Sequence, residues 1–222
     1  MANMQKILVF DFDGVILESA DIKTRAFREL FSMYPDKVNA IVAYHETHAG
    51  ISRFQKFRHI YRQFLDKPLG FEEEQELGER FASLVVQEVM RCPYVPGALE
   101  FLSVFSKAHL LFVASGTPED ELRQLVAARG LASFFREVYG SPAGKPAILE
   151  RILGMTGIRP ASLLFVGDGR SDYEAARATG VGFIGRARPG QAHPFEGLGV
   201  PIIADLFELE RCLGACAGSP NQ

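Results

Sequence analysis

Apolar residues in this chain gather in short unbroken runs, separated by longer stretches where they recur at helical spacing. The runs Ile7-Leu8-Val9-Phe10, Leu110-Leu111-Phe112-Val113-Ala114 and Leu163-Leu164-Phe165-Val166 have the length and continuity of buried strands. Candidate strands fall near residues 6–10, 110–115, 136–139, 162–167, 181–184 and 200–203. After Gly97 strands and helices alternate, which predicts an α/β, doubly wound, Rossmann-like parallel sheet. Between the first strand and Cys92-Pro93-Tyr94-Val95-Pro96-Gly97 the pattern is helical, with no convincing strand.

Polar groups interrupt the apolar runs at one end only. The first run stops at Asp11-Phe12-Asp13-Gly14. Strand side chains alternate faces, so Asp11 and Asp13 point the same way beyond the strand end. Two close carboxylates repel, and one would tend to hold a proton unless a divalent cation offsets the charge. Gly14 permits a sharp turn and leaves room for a ligand. The second run ends in Ser115-Gly116-Thr117, and the third in Gly167-Asp168-Gly169-Arg170-Ser171-Asp172. Between them, Gly144-Lys145-Pro146 opens a helical stretch. Three strands thus deliver polar groups at their C-terminal ends, where open parallel sheets bind ligands. Pro118, Glu119 and Asp120 read as the first turn of a helix.

These four fragments, in this order, resemble the motifs of the haloacid dehalogenase-like hydrolases, a superfamily consisting mainly of phosphatases. The likeness runs from about residue 6 to about residue 205 and is nearest the phosphoglycolate phosphatase and β-phosphoglucomutase-like branch. It implies a helical cap at residues 17–92, inserted in a core formed by residues 1–16 and 93–222, with hinges near Val15–Glu18 and Arg91–Gly97. It implies that Asp11 is a nucleophile forming an aspartyl-phosphate and that Asp13 is the general acid and base. Ser115 and the amides of Gly116 and Thr117 would grip phosphoryl oxygens, with Gly14 beside them. Lys145 would offset negative charge on Asp11 and the phosphate. A Mg²⁺ ion would be held by Asp11, the Asp13 carbonyl and Asp168, with Asp172 orienting ligands, waters or Lys145.

In the cap region, Phe54, Phe57, Tyr61 and Phe64 recur at helical spacing and read as the cap's own core. Arg53, Lys56, Arg58 and Arg62 share that helix, with no acid from Ile51 to Leu65, and read as a solvated basic face. Arg53 is the exception. The stretch Gly50-Ile51-Ser52-Arg53 resembles the β-phosphoglucomutase cap loop, whose matching arginine holds the phosphate that is not transferred. Arg53 would therefore hold a substrate's carboxylate or second phosphate bidentately. His48 reads equally well as a substrate contact or as a structural histidine. Glu72–Glu79 reads as a solvated acidic face.

Composition narrows the classes. A chain of 222 residues allows one large domain or one domain with an insert, and 47% hydrophobic residues supply a core. A net charge of −3 gives no reason to expect nucleic acid, and no apolar span is long enough for a membrane. Cys92, Cys212 and Cys216 suggest neither a disulfide framework nor a zinc site, and read as reduced thiols. The first strand starts too near Met1 for a signal peptide, so a cytoplasmic protein is expected. The tail Ala217–Gln222 reads as disordered. The expectation is a Mg²⁺-dependent phosphatase for a small phosphorylated metabolite. A sugar phosphomutase and a non-catalytic binding protein stand as alternatives; Lys23 occupies the place of a mutase cap histidine.

Overall fold

A computed structural model describes residues 6–215. Cys216 and the tail Ala217–Gln222 lie outside the described residues. The predicted strands form one six-stranded parallel sheet in the order β3-β2-β1-β4-β5-β6. They are β1 Ile7–Phe10, β2 Leu110–Pro118, β3 Glu137–Ser141, β4 Leu163–Gly167, β5 Gly182–Arg186 and β6 Ile202–Ile203. β1 lies at the centre, with Ile7 opposite Leu110 on one side and Leu163 on the other.

The continuous apolar runs follow from burial on both faces of the sheet. Leu8, Phe10, Leu111, Val113 and Val166 face one layer. It contains α5 (Ala98–Phe105), α6 (Glu119–Ala128) and α9 (Leu206–Ala215). Ile7, Val9, Phe112, Ala114 and Phe165 face the other, formed by α7 (Lys145–Thr156) and α8 (Arg170–Thr179). The chain winds outward from β1 through β2 and β3, then returns to place β4 on the opposite side of β1. The neighbouring carboxyl ends of β1 and β4 therefore form the switch point, where ligand crevices open in such sheets.

Between β1 and α5 the chain forms α1 (Ala20–Leu30), α2 (Val38–Thr47), α3 (Arg53–Ile60) and α4 (Phe71–Val89). A π-helical turn at Tyr61–Leu65 prolongs α3 and stops at Asp66, which has φ 50°. Phe27, Phe57 and Phe81 meet at ring separations of 5.0 to 6.3 Å and make the centre of this helical layer. Phe57 and Tyr61 are buried, while Phe54 and Phe64 pack partly buried against them, so the aromatic stripe is core.

The basic residues divide differently from the sequence expectation. Arg58 and Arg62 are exposed, but Arg53 and Lys56 are buried on the same face of α3 as Phe57 and Ile60. The acidic face of α4 likewise has an inward member. Glu74 is buried and accepts two hydrogen bonds from Arg58, at 2.6 and 2.8 Å. Among the described residues, no helix is long and apolar enough to cross a membrane.

Candidate active site

β1 ends at Phe10, and the Asp11 amide still donates to Val166 of β4 at 2.9 Å. This bond aims the Asp11 side chain into the crevice at the switch point. One Asp11 oxygen accepts from the Phe12 amide and the other from Lys145 Nζ, both at 2.7 Å. Lys145, at the start of α7, is buried and pairs also with Asp172 on the first turn of α8. Asp172 accepts from the Gly169 amide at 2.9 Å. Lys145 and Asp172 thus form a buried bracket behind Asp11.

Asp168 follows β4 and completes a group of carboxylates. Oxygens of Asp11, Asp168 and Asp172 lie within 4.8 Å of one another. A Cβ on Gly14 would lie 1.9 Å from Asp168 Oδ2, and Gly14 has φ +75°. Glycine is needed there for both space and backbone conformation. The charges do not balance: among the described residues one ammonium, Lys145, pairs with these carboxylates. Burial, then Asp172 and Asp13, push Asp11 up to about 7 against the pull of Lys145. Burial, then Asp11 and Asp172, push Asp168 well above the ordinary range. Excess negative charge on oxygen donors at this spacing fits a hard divalent cation.

Asp13 is held separately. It accepts from Ser19 Oγ at 2.6 Å and Thr117 Oγ1 at 3.1 Å, and pairs with Lys23 of α1. Burial opposes its ionisation, but Lys23 and the two hydroxyls outweigh it and hold the carboxyl below the ordinary range. Lys23 Nζ also donates to Thr117 Oγ1 at 2.7 Å, so α1 is tied to both β1 and β2 at the site.

Ser115 and Thr117 line the crevice as expected, with a difference in detail. β2 stays extended to Pro118 and α6 begins at Glu119, so Pro118 precedes the first turn instead of opening it. The Thr117 amide donates to Ser115 Oγ at 3.1 Å. This bond uses the Ser115 oxygen as an acceptor and leaves its hydroxyl proton to donate.

The helical layer covers the site through Ala49–Ile51. Ser171 Oγ donates to the Ala49 carbonyl at 2.7 Å. A Cβ on Gly116 would lie 2.5 Å from the Gly50 carbonyl oxygen, and one on Gly50 would lie 2.7 Å from Lys145 Nζ. The cavity beneath has a volume of about 410 Å³. Asp11, Asp13 and Thr117 line it together with Lys23, His45 and Lys56.

Arg53 also lines this cavity, but its guanidinium is already engaged. It donates to both oxygens of Glu121 at 2.6 Å and lies 4.7 Å from the Phe81 ring centre. The bidentate carboxylate expected from a substrate is supplied by α6 of the protein itself. His48 is exposed, with Nδ1 2.9 Å from the Tyr44 carbonyl, and does not line the cavity. His45 takes that place. Sequence reasoning missed His45, read Lys56 as part of a solvated face, and named Lys23 only as standing in the place of a mutase histidine. The signal for Lys56 was its spacing, three residues after Arg53 and four before Ile60, on one helical face.

Residues 5–180 match the family model described as haloacid dehalogenase-like hydrolase. The chain belongs to this family. The phosphoglycolate phosphatase of Rhodospirillum rubrum is 25% identical over 98% of this chain and 93% of its own length. The phosphoglycolate phosphatase of Haemophilus influenzae (strain 86-028NP) is 36% identical over 98 residues, which span 42% of this chain and 43% of that relative. A Bacteroides vulgatus protein described provisionally as a beta-phosphoglucomutase superposes with a TM-score of 0.79 at 16% identity, covering 98% of this chain and 91% of that one. This last likeness is one of fold.

Proposed function

We propose that this haloacid dehalogenase-like hydrolase is a Mg²⁺-dependent phosphatase that cleaves a small phosphomonoester through an aspartyl-phosphate on Asp11. One observation carries the reading. Two neighbouring carboxylates have different surroundings: Asp11 lies beside Lys145 among further carboxylates, and Asp13 is bound by Lys23, Ser19 and Thr117. Two carboxyls in such different surroundings suit a nucleophile and an acid/base.

Asp11 and Asp168, with the Asp13 backbone carbonyl, would hold the ion. When bound, Mg²⁺ would neutralise carboxylate and phosphoryl charge so that the two anions can approach. Asp11 attacks phosphorus, and the ester oxygen leaves with a proton from Asp13. Bringing a phosphate dianion beside Asp13 opposes Lys23 and raises its proton affinity, so Asp13 takes up that proton from solvent as the substrate binds. Asp13 then takes a proton from the water that hydrolyses the phosphoryl–Asp11 bond. Ser115, Gly116 and Lys145 orient and stabilise the phosphoryl oxygens throughout, as charge stabilisation dominates this chemistry. Residues 17–92 act as the cap, and the Ala49–Ile51 loop excludes bulk water.

Phosphoglycolate phosphatases among the relatives support a small phosphorylated carboxylic acid as substrate. The mutase reading loses its main support, because Arg53 is neutralised by Glu121. The test is phosphate release from a panel of phosphorylated metabolites, with Mg²⁺ and with chelator, for the native chain and Asp11→Asn. Metal-dependent release that vanishes in Asp11→Asn is expected. Release that survives the substitution contradicts the reading; isomer formation dependent on a bisphosphate activator favours a mutase.

A further inference from the structure

The cap side of the cavity holds the cations Lys23, Arg53 and Lys56. Lys23 is paired with Asp13, and Arg53 with Glu121. Lys56 differs from both. It is 3% exposed, and among the described residues its hydrogen-bond partners are His45 Nδ1 at 2.9 Å and the His45 carbonyl at 3.2 Å. Neither carries a negative charge. An ammonium has three N–H donors, so one is left over in a cavity that Asp11 and Asp13 also line.

His45 fixes the position of that ammonium. Its ring stacks on Phe27 at 4.1 Å, and Lys56 lies 5.5 Å from the centre of the same ring. Burial, then Lys56 and Lys23, push His45 down to about 2, so its imidazole is neutral. With Nδ1 accepting from Lys56, the ring proton sits on Nε2. Burying a cation without an anion is costly, and such sites persist where function needs the charge. Burial and the neighbouring cations Lys23 and Lys145 bring Lys56 down to about 7, against weaker support from Asp168 and Asp13.

We propose that Lys56, positioned by His45, is the specificity-determining residue of this site and binds a carboxylate at the end of the substrate opposite its phosphate. The proposal rests on the phosphatase reading above and names the residue that selects a short phosphorylated carboxylic acid. A carboxylate fits better than a second phosphate. Lys56 offers one remaining donor, Arg53 is engaged, and Glu46 and Asp21 also line the cavity and disfavour added dianionic charge.

Two probes of equal length separate the contributions: 2-phosphoglycolate carries the carboxylate, and ethyl phosphate lacks it. The quantity read is the ratio of their kcat/KM values. A charge-assisted hydrogen bond in a buried site corresponds to about 10- to 100-fold, so the native ratio is expected in that range. Lys56→Met should bring the ratio to within about threefold of unity, mostly through KM for 2-phosphoglycolate. A native ratio near one, or a ratio unchanged by Lys56→Met, overturns the proposal. Calorimetric binding of the same probes to Asp11→Asn reads the preference without turnover. Loss of turnover by the native chain on both probes, with the binding preference intact, would count against the phosphatase reading alone; loss of that preference would count against Lys56.

Discussion

Gly50 is the position where a single added carbon should separate site closure from stability. Its φ of +82° is strained for any other residue, and a Cβ there would lie 2.5 Å from Ser171 Oγ and 2.7 Å from Lys145 Nζ. Lys145 cannot swing aside freely, because Asp11 and Asp172 hold it. In Gly50→Ala the loop must lift, and lifting relieves both the clash and the backbone strain. The left-handed conformation alone costs alanine about 1–2 kcal/mol, or about 5- to 30-fold in the population of the closed loop. The measurement is kcat/KM on a phosphomonoester beside a thermal melt. Gly157→Ala is the matched control. Gly157 has φ +66°, ends α7 and would bring its Cβ within 4 Å of nothing. Gly157→Ala should lower Tm by about 2–8 °C and leave kcat/KM within twofold. Gly50→Ala should lower kcat/KM at least about 5-fold. If both variants lose activity equally, or neither does, the reasoning about the loop is refuted.

Lys23→Met should move the acid limb of unfolding to higher pH. Asp13 is held below its ordinary 3.8, so it contributes stability above that value and loses it as pH falls through the lower folded value. Without Lys23 burial dominates, Asp13 titrates higher, and the contribution turns unfavourable; an unshifted acid midpoint in pH-dependent melts contradicts this. Arg53→Met should cost stability, because it strands the Glu121 carboxylate, 18% exposed in the native protein. The expected loss is about 2 kcal/mol, recovered in part by adding Glu121→Gln, and an unchanged melt contradicts the pairing.

Much of the core was legible because each strand is an unbroken apolar run with its polar group at one end. Asp11, Ser115 and Asp168 could be placed on one rim by that pattern alone. Lys145 was harder, since a lysine before proline looks like a surface residue; its burial comes from Asp11 and Asp172, 134 and 27 residues away. The helical layer was less legible for the same reason. Lys56 looked like part of a solvated face and Arg53 like a substrate contact, because no acid lies near either in sequence. Arg53 finds Glu121 68 residues away, and Lys56 finds a neutral histidine on another helix. Helical spacing placed both with Phe57 and Ile60, but long-range pairing decided their burial. Arg186 is a further case. It joins Glu18 at 2.5 Å and the Gly14 carbonyl at 3.1 Å, bracing the turn that carries Gly14, and nothing local in sequence marks it.

The central claim is that phosphorus becomes bonded to Asp11. Acid quenching during turnover, followed by peptide mass spectrometry, tests it most directly. The account predicts a phosphoryl adduct on the peptide holding Asp11, present with substrate and Mg²⁺ and absent in Asp11→Asn. Steady phosphate release with no adduct at any quench time, or an adduct on another residue, would contradict it.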